Sequence, residues 1–316
     1  MGYKTPLGIN NYSPARFSEI FLEQKYSPPA IVRSREDILR SIERAREAFS
    51  RKKVKIRQGS SLDQLFSNAS SRLKGKKHVN ALAEIDNKFV AFFSGIIIAV
   101  EDEPGIKGIF EIIAGSDMTT SSRSQSRGKD MLWELTMLTY LRIAAIPSKI
   151  AEPDIVTNFG FGDYGMACKK IYSENSVEKA IKKGITQLRN SNLRGAIALN
   201  LDDLFTPPNR LPYASSQDFF RHMLSDYIEK FLLRHENVLK RFAPSDVCDG
   251  YIVYLSATGY IMDKRSILPV AVKLIYDASE VASEHNRRLL ALGEKFGNSD
   301  GLADWVKKVG GTTENW

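Results

Sequence analysis

From residue 34 to about 53 the apolar residues Ile38, Leu39, Ile42 and Ala45 recur at steps of three and four, the spacing that lays one apolar stripe along a helix. Ser34 followed by Asp37 resembles a capping pair at its start. A second helical stretch is expected over 61–73. Residues 79–100 and 106–113 are then strongly apolar and β-branched, and there periodicity alone does not separate helix from strand. Residues 116–129 turn polar, hydroxyl-rich and basic, which marks a loop or a boundary whose arginines are placed to touch phosphate. The chain is accordingly divided into a mainly helical N-terminal region, 1–115, and a second domain, 116–316.

In the second domain the alternation of patterns is clearer. A helix is predicted over 131–145, a short strand near 148–151, and a hairpin from 154–159 and 163–171. A helix follows over 176–190, a strand over 195–201, and a long helix over 216–241 with Phe219, Met223, Tyr227, Phe231 and Leu232 on one stripe. Strands over 250–255 and 268–276 and a closing helix over 279–296 complete the order. Strands interleaved with helices predict a mixed α/β core. The Gly160-Phe161-Gly162 stretch reads as the hairpin turn.

With 316 residues, 43% of them apolar and 10% aromatic, the chain is long enough to bury a substantial core. Its 45 Lys and Arg against 37 Asp and Glu give a net charge of +8, a surplus that favours polyanionic partners such as nucleic acid. Two cysteines and four scattered histidines offer neither a disulfide framework nor a ligand spacing for zinc. The N-terminus lacks a secretory pattern, and the longest apolar run, 89–100, is too short to span a bilayer, so a cytoplasmic protein with no membrane partner is expected. Neither nucleotide-binding glycine motif occurs, nor a Gly-x-Ser-x-Gly elbow, which argues against nucleotide-driven phosphoryl transfer and serine hydrolysis.

Three polar positions stand out against this pattern. Glu134 shares the stripe of Met131, Leu138 and Leu141, a face otherwise meant for the core, and a carboxylate there needs a partner. Asp154 follows Pro153 at the entrance to an extended segment. Alternation along 163–171 puts Asp163, Gly165, Ala167 and Lys169 on one face, and Tyr164, Met166, Cys168 and Lys170 on the other. The helix after it carries Lys179, Lys182, Lys183 and Arg189, a basic cluster suited to phosphate contacts.

A helix glutamate, then Pro-Asp, then an acid-x-Lys on a strand is the pattern of the PD-(D/E)XK nucleases, and residues 131–187 resemble it. The resemblance implies a restriction-endonuclease-like mixed central sheet flanked by helices. It implies Mg²⁺, or Mn²⁺, held by Glu134 and Asp154, and Lys169 positioning or deprotonating the attacking water. Lys170, Lys179, Lys182, Lys183 and Arg189 are the expected nucleic-acid contacts. Gln187 joins them, since some branches of the family place a glutamine on this helix, and Tyr172 is a further candidate for the groove. One position departs from the pattern: where the acid is expected, two residues before Lys169, stands Ala167. Removal of the acid by substitution accounts for this, as does a degenerate relative that binds without cutting, or migration of the acid to Asp163, Glu174 or Glu178. Asp163 lies two pleats away, about 13 Å at strand rise.

The resemblance thus implies a metal-dependent DNA endonuclease, of restriction or defence type, inactive or attenuated at Ala167. It implies a homodimer, because a duplex has two strands to cut, and leaves room for a second protein subunit. The alternative is a non-catalytic nucleic-acid-binding or assembly protein on a degenerate nuclease fold.

Overall fold

The computed structural model of the chain describes residues 34–75, 80–205, 210–276 and 284–296. Four helices come first: α1 (Arg35–Arg51), α2 (Ser61–Lys74), α3 (Ala81–Val100) and α4 (Ile106–Gly115). Ser34 caps α1 in the expected way, its side chain accepting from the Asp37 backbone N–H while Asp37 accepts from the Ser34 backbone. The two runs left open between helix and strand are helical, α3 over 81–100 and α4 over 106–115, with residue 79 outside the described residues. The first is apolar on most sides because α3 is buried on most sides, with Val90, Phe93, Ile96, Ile97 and Val100 inaccessible to solvent.

Next come α5 (Arg127–Ile143), β1 (Ser148–Ala151), β2 (Asp154–Asn158) and β3 (Asp163–Lys170), then a single 3-10 turn at Glu174–Ser176 and α6 (Val177–Asn190). The remainder is β4 (Gly195–Asn200), α7 (Asp202–Phe205), β5 (Tyr213–Ala214), α8 (Gln217–Phe242), β6 (Cys248–Ile261), β7 (Ser266–Tyr276) and α9 (Glu284–Phe296). The part of the closing helix expected over 279–283 lies outside the described residues. In the turn between β2 and β3, Gly160 and Gly162 take positive φ, 113° and 82°, which a glycine adopts without strain.

One mixed seven-stranded sheet organises the second half, in the order β1-β2-β3-β4-β6-β5, with β7 also paired to β6. β1, β2 and β3 run antiparallel to one another; β4 is parallel to β3, and β6 is parallel to β4. Alternation along β3 and β4 feeds two cores. Tyr164, Met166, Cys168, Ala196 and Ala198 pack with α1 to α5 and α9, whereas Ala167, Ile197 and Leu199 pack with α6 and α8. The first core runs unbroken from the N-terminal helices onto the sheet.

The polar stretch before α5 is tied to both sides of that core. Asp117 accepts from Ser61 of α2 at 3.1 Å, Thr120 donates to Asp86 of α3 at 2.6 Å, and Arg123 pairs with Asp203 of α7 at 2.6 Å. Of the stripe predicted for α8, Phe231 and Leu232 are buried and Met223 and Tyr227 pack partly buried against the core, but Phe219 is 51% exposed and Phe220, Leu224 and Ile228 take the innermost positions. Gly259 on β6 decides the matter, because its missing side chain leaves the space that the Phe220 ring fills.

Two further glycines position the candidate site. Gly165 of β3 lies beside Gly195 of β4, and a Cβ on Gly165 would meet Leu188 at 2.9 Å and Pro153 at 3.1 Å. The absence of side chains there lets the end of α6 settle onto the strands just where Pro153 leads into Asp154.

Candidate active site

Asp154 opens β2, and continuing the observed register of Ile155 opposite Met166 by one position sets it beside Ala167. Its carboxylate is heavily engaged. Oδ2 accepts the Cys168 backbone N–H at 2.7 Å and the Lys169 ammonium at 2.8 Å, and Oδ1 accepts from Gln187 Nε2 at 2.8 Å. Gln187 also donates to the Pro153 carbonyl at 2.9 Å, so α6 clamps the Pro-Asp corner from one side. Both members of the Asp154–Lys169 pair keep only 10% of their side-chain surface exposed, so the pair is mostly desolvated and each charge depends on the other.

Glu134 approaches from α5 on the opposite side of the sheet. Burial, and next to it the negative charge of Asp154, push its carboxyl up to about 9, with Lys169 pulling the other way. That shift favours the protonated carboxyl, and Lys169 is the cation that opposes it. Asp130 sits one turn earlier on the same face of α5. Its carboxyl is raised by burial, accepts from the Tyr172 hydroxyl at 2.9 Å, and feels Lys170, Lys183 and Lys169. The Cys168 thiol is pushed well up, by burial first and then by the nearby Asp154 and Glu134.

Glu134, Asp154 and Lys169 thus come together, with Ala167, fully buried, beside Asp154. The other positions considered for the missing acid do not join them. Glu174 is bonded to Arg234 and His235 of α8, and Glu178 to Lys182 and Arg241, while Asp163 opens β3 at the far, hairpin end of the strand. Asp130 is the acid that joins the group instead. Its position four residues before Glu134 was visible in the sequence as a shared helix face.

The basic residues divide. Lys179, Lys183 and Gln187 form a row at four-residue spacing on α6, and the inner two reach the site: Gln187 bonds Asp154, and the charge of Lys183 is felt at Asp130. Lys182 and Arg189 are turned elsewhere, to Glu178 at 2.8 Å and Asp246 at 3.4 Å. Lys170 is on the other face of β3 from Lys169, as alternation requires, and bonds Asn200 at 3.0 Å.

Among the described residues no group of three His, Cys, Asp or Glu side chains is placed to hold a metal ion. Two carboxylates are nevertheless enough for Mg²⁺, which keeps several waters and uses one or two protein carboxylates. The donor set is all oxygen, and the buried Gln187 Oε1, which has no hydrogen-bond partner, adds a neutral acceptor beside Asp154. These residues fit a hard cation bound largely through its waters. No helix among the described residues is long and apolar enough to cross a membrane. No protein-family model, no curated protein and no solved structure matches the chain.

Proposed function

We propose that the chain is a metal-dependent nuclease of the PD-(D/E)XK kind acting on DNA, attenuated by Ala167. The observation that carries this reading is the convergence of three side chains from three elements: Lys169 bonded to Asp154, and Glu134 close enough for the Asp154 charge to oppose its ionisation. The succession α5, β1, β2, β3, α6, β4 on a mixed sheet supports a restriction-endonuclease-like fold. A homodimer is the assembly this reading implies.

In this reading Glu134 and Asp154 hold the cation, which supplies charge stabilisation and an activated water when bound. Lys169 uses two of its three N–H groups on Asp154 and the Cys168 carbonyl, leaving one to orient the water or a phosphate oxygen. Asp154 is held in place by Gln187 and the Cys168 N–H, and keeps one Oδ1 lone pair for the cation. Cation binding must displace the proton on Glu134, so occupancy rises with pH. A third acid at position 167 would lie beside Asp154 and add the charge that the present pair lacks.

The second reading, a protein that binds nucleic acid without cutting it, is favoured by Ala167 itself and by the extensive engagement of Asp154. A cleavage assay on plasmid and linear DNA, with Mg²⁺ or Mn²⁺, separates the two. Magnesium-dependent cleavage by Ala167→Glu or the smaller Ala167→Asp, lost again on adding Asp154→Ala, is the expected result. DNA binding without cleavage by folded versions of every variant replaces the nuclease reading with the second one.

A further inference from the structure

A cavity of about 490 Å³ lies on the other side of β3 from Ala167, between α3, the segment before α5, α5 itself and the sheet. This falls within the roughly 300–1,000 Å³ of small-molecule sites. Its lining is mostly apolar and includes Phe89 and Phe92 of α3 with Trp133 of α5 and Tyr254 of β6, the last two 3% exposed. Its floor is charged. Its lining carries five basic against three acidic residues, among them Arg123, Lys129 and Lys170 with Asp202 and Asp203.

Asp202 is committed by hydrogen bonds, and Asp203 by ion pairs, its Oδ2 having no hydrogen-bond partner. Asp202 accepts the Ser256 N–H at 2.6 Å and the Asn200 amide at 3.0 Å, and its burial raises its carboxyl. Asp203 is shared between Arg123 at 2.6 Å and Lys170 at 3.5 Å. Lys129 is left over. The residue is 8% exposed and its ammonium donates to the Ser122 carbonyl at 2.6 Å, with no carboxylate within ion-pair distance among the described residues. A buried ammonium with two unused N–H groups at the foot of an aromatic cleft is a receptor for an anion joined to a flat apolar body. Stacking on aromatic side chains suits any nucleobase, because every base has a π-face.

We propose that this cavity binds a nucleotide unit, its phosphate on Lys129 and Lys170 and its base between α3 and the Trp133–Tyr254 wall. The source is either a free nucleotide or one nucleotide of a strand, and the shared chemistry is the phosphate with its base. The site stands apart from Asp154 and Glu134 and does not require that they hold a metal.

The test is calorimetric titration of the full chain, without divalent cations, against deoxyadenosine monophosphate, deoxyadenosine and a short single-stranded oligodeoxynucleotide. Lys129→Met, Lys170→Met and Ala91→Trp are compared, the last filling the cavity from α3 while leaving its charges intact. Melting curves confirm that each variant folds. The monophosphate or the oligonucleotide is expected to bind, with about tenfold weakening or more in each lysine variant, the worth of one charged hydrogen bond. Ala91→Trp is expected to abolish that binding. Binding of the monophosphate assigns the free nucleotide as a source; binding of the oligonucleotide alone assigns the strand. Deoxyadenosine binding as well as its monophosphate overturns the proposal. So does binding that survives both Lys129→Met and Ala91→Trp, or no binding of either phosphate-bearing probe. Cleavage is not read, so a failed nuclease reading leaves this result intact.

Discussion

Lys169 and Lys170 are neighbours on one strand, yet they serve regions of opposite electrostatic character. Each meets an aspartate, Asp154 at 2.8 Å and Asp203 at 3.5 Å. Around the first pair the surplus is acidic at Glu134, where Asp154 and Asp130 outnumber Lys169, while Asp130 itself also feels Lys170 and Lys183. Around the second it is basic, because Asp203 is divided between Lys170 and Arg123 while Lys129 has no acid of its own. A period of two is enough to send adjacent lysines to opposite faces. The first region is built to attract a cation and the second an anion. The difference teaches that a run of lysines need not form one basic surface.

The comparison breaks most severely at Asp154. Replacing it with alanine leaves the mostly buried Lys169 ammonium without its counter-charge and frees Gln187 from its acceptor. Removing one partner of such a pair costs about 3 kcal/mol or more of stability. Denaturant unfolding of Asp154→Ala is expected to show that loss, and the variant is expected to abolish any cleavage gained through Ala167→Glu. An unchanged midpoint would mean that the pair is a surface contact of little weight.

The next effect sharpens the acidic side through pH. Glu134 has its carboxyl raised to about 9, against an ordinary value of about 4.5 in the unfolded chain. Below the lower value both states hold the proton and folding is not penalised. As pH rises from there towards 9, the unfolded chain releases the proton and the folded one retains it, so stability falls across that window. Glu134→Gln removes the titration. The variant is expected to be as stable as the parent at pH 4 and progressively more stable than it as pH rises towards 9, read from urea unfolding midpoints. If Glu134 and Asp154 hold Mg²⁺ as proposed, the ion is expected to oppose this trend in the parent alone, raising its melting temperature increasingly as pH rises.

A smaller contrast tests the two lysines against each other. Lys169→Met is expected to suppress cleavage in an Ala167→Glu background by about a hundredfold, the usual worth of a group that moves or positions a proton. Lys170→Met in the same background is expected to weaken oligonucleotide binding by about tenfold while lowering the single-turnover rate at saturating DNA much less. Equal effects on both quantities would erase the distinction between the faces.

Much of this architecture was legible in the sequence from residue 127 onward. There strand and helix periods alternate sharply, and turn residues such as Gly160 and Gly162 punctuate them. The helix over 81–100 was not separable from a strand because a segment buried on most sides shows no face, and the helix over 106–115 buries one face, Ile106, Phe110 and Ile113, but is only ten residues long. The one-residue shift in α8 has a related cause: Phe219, Met223, Tyr227 and Phe231 are as periodic as Phe220, Leu224, Ile228 and Phe231, and only Gly259 on a distant strand chooses between them. Glu134, Asp154 and Lys169 could be picked out because each is a polar residue in a setting that calls for apolar ones. Lys129 and the cavity could not. Their meaning depends on residues 123, 129, 170 and 203 meeting in space, and nothing local in the sequence announces it.

The gentlest test concerns what holds the end of β3 in place between the two regions. Just beyond it, Glu174 in the 3-10 turn bonds Arg234 at 2.7 Å and also His235 on α8. Burial works against its charge, but the bonds from Arg234 and His235 prevail and keep its carboxyl below the ordinary range. Its contribution to stability is therefore present above the unfolded value near 4.5 and lost as pH falls through the lower folded one. The side chain is 40% exposed, so solvent screening reduces the gain to about 0.5 kcal/mol. Glu174→Gln is expected to lower stability by that amount at pH 7 and by nothing at pH 3, with oligonucleotide binding unchanged. A loss of several kcal/mol, or weakened binding, would show that the tie to α8 sets the positions of Lys169 and Lys170. In that case the two regions would respond together rather than as separate sites.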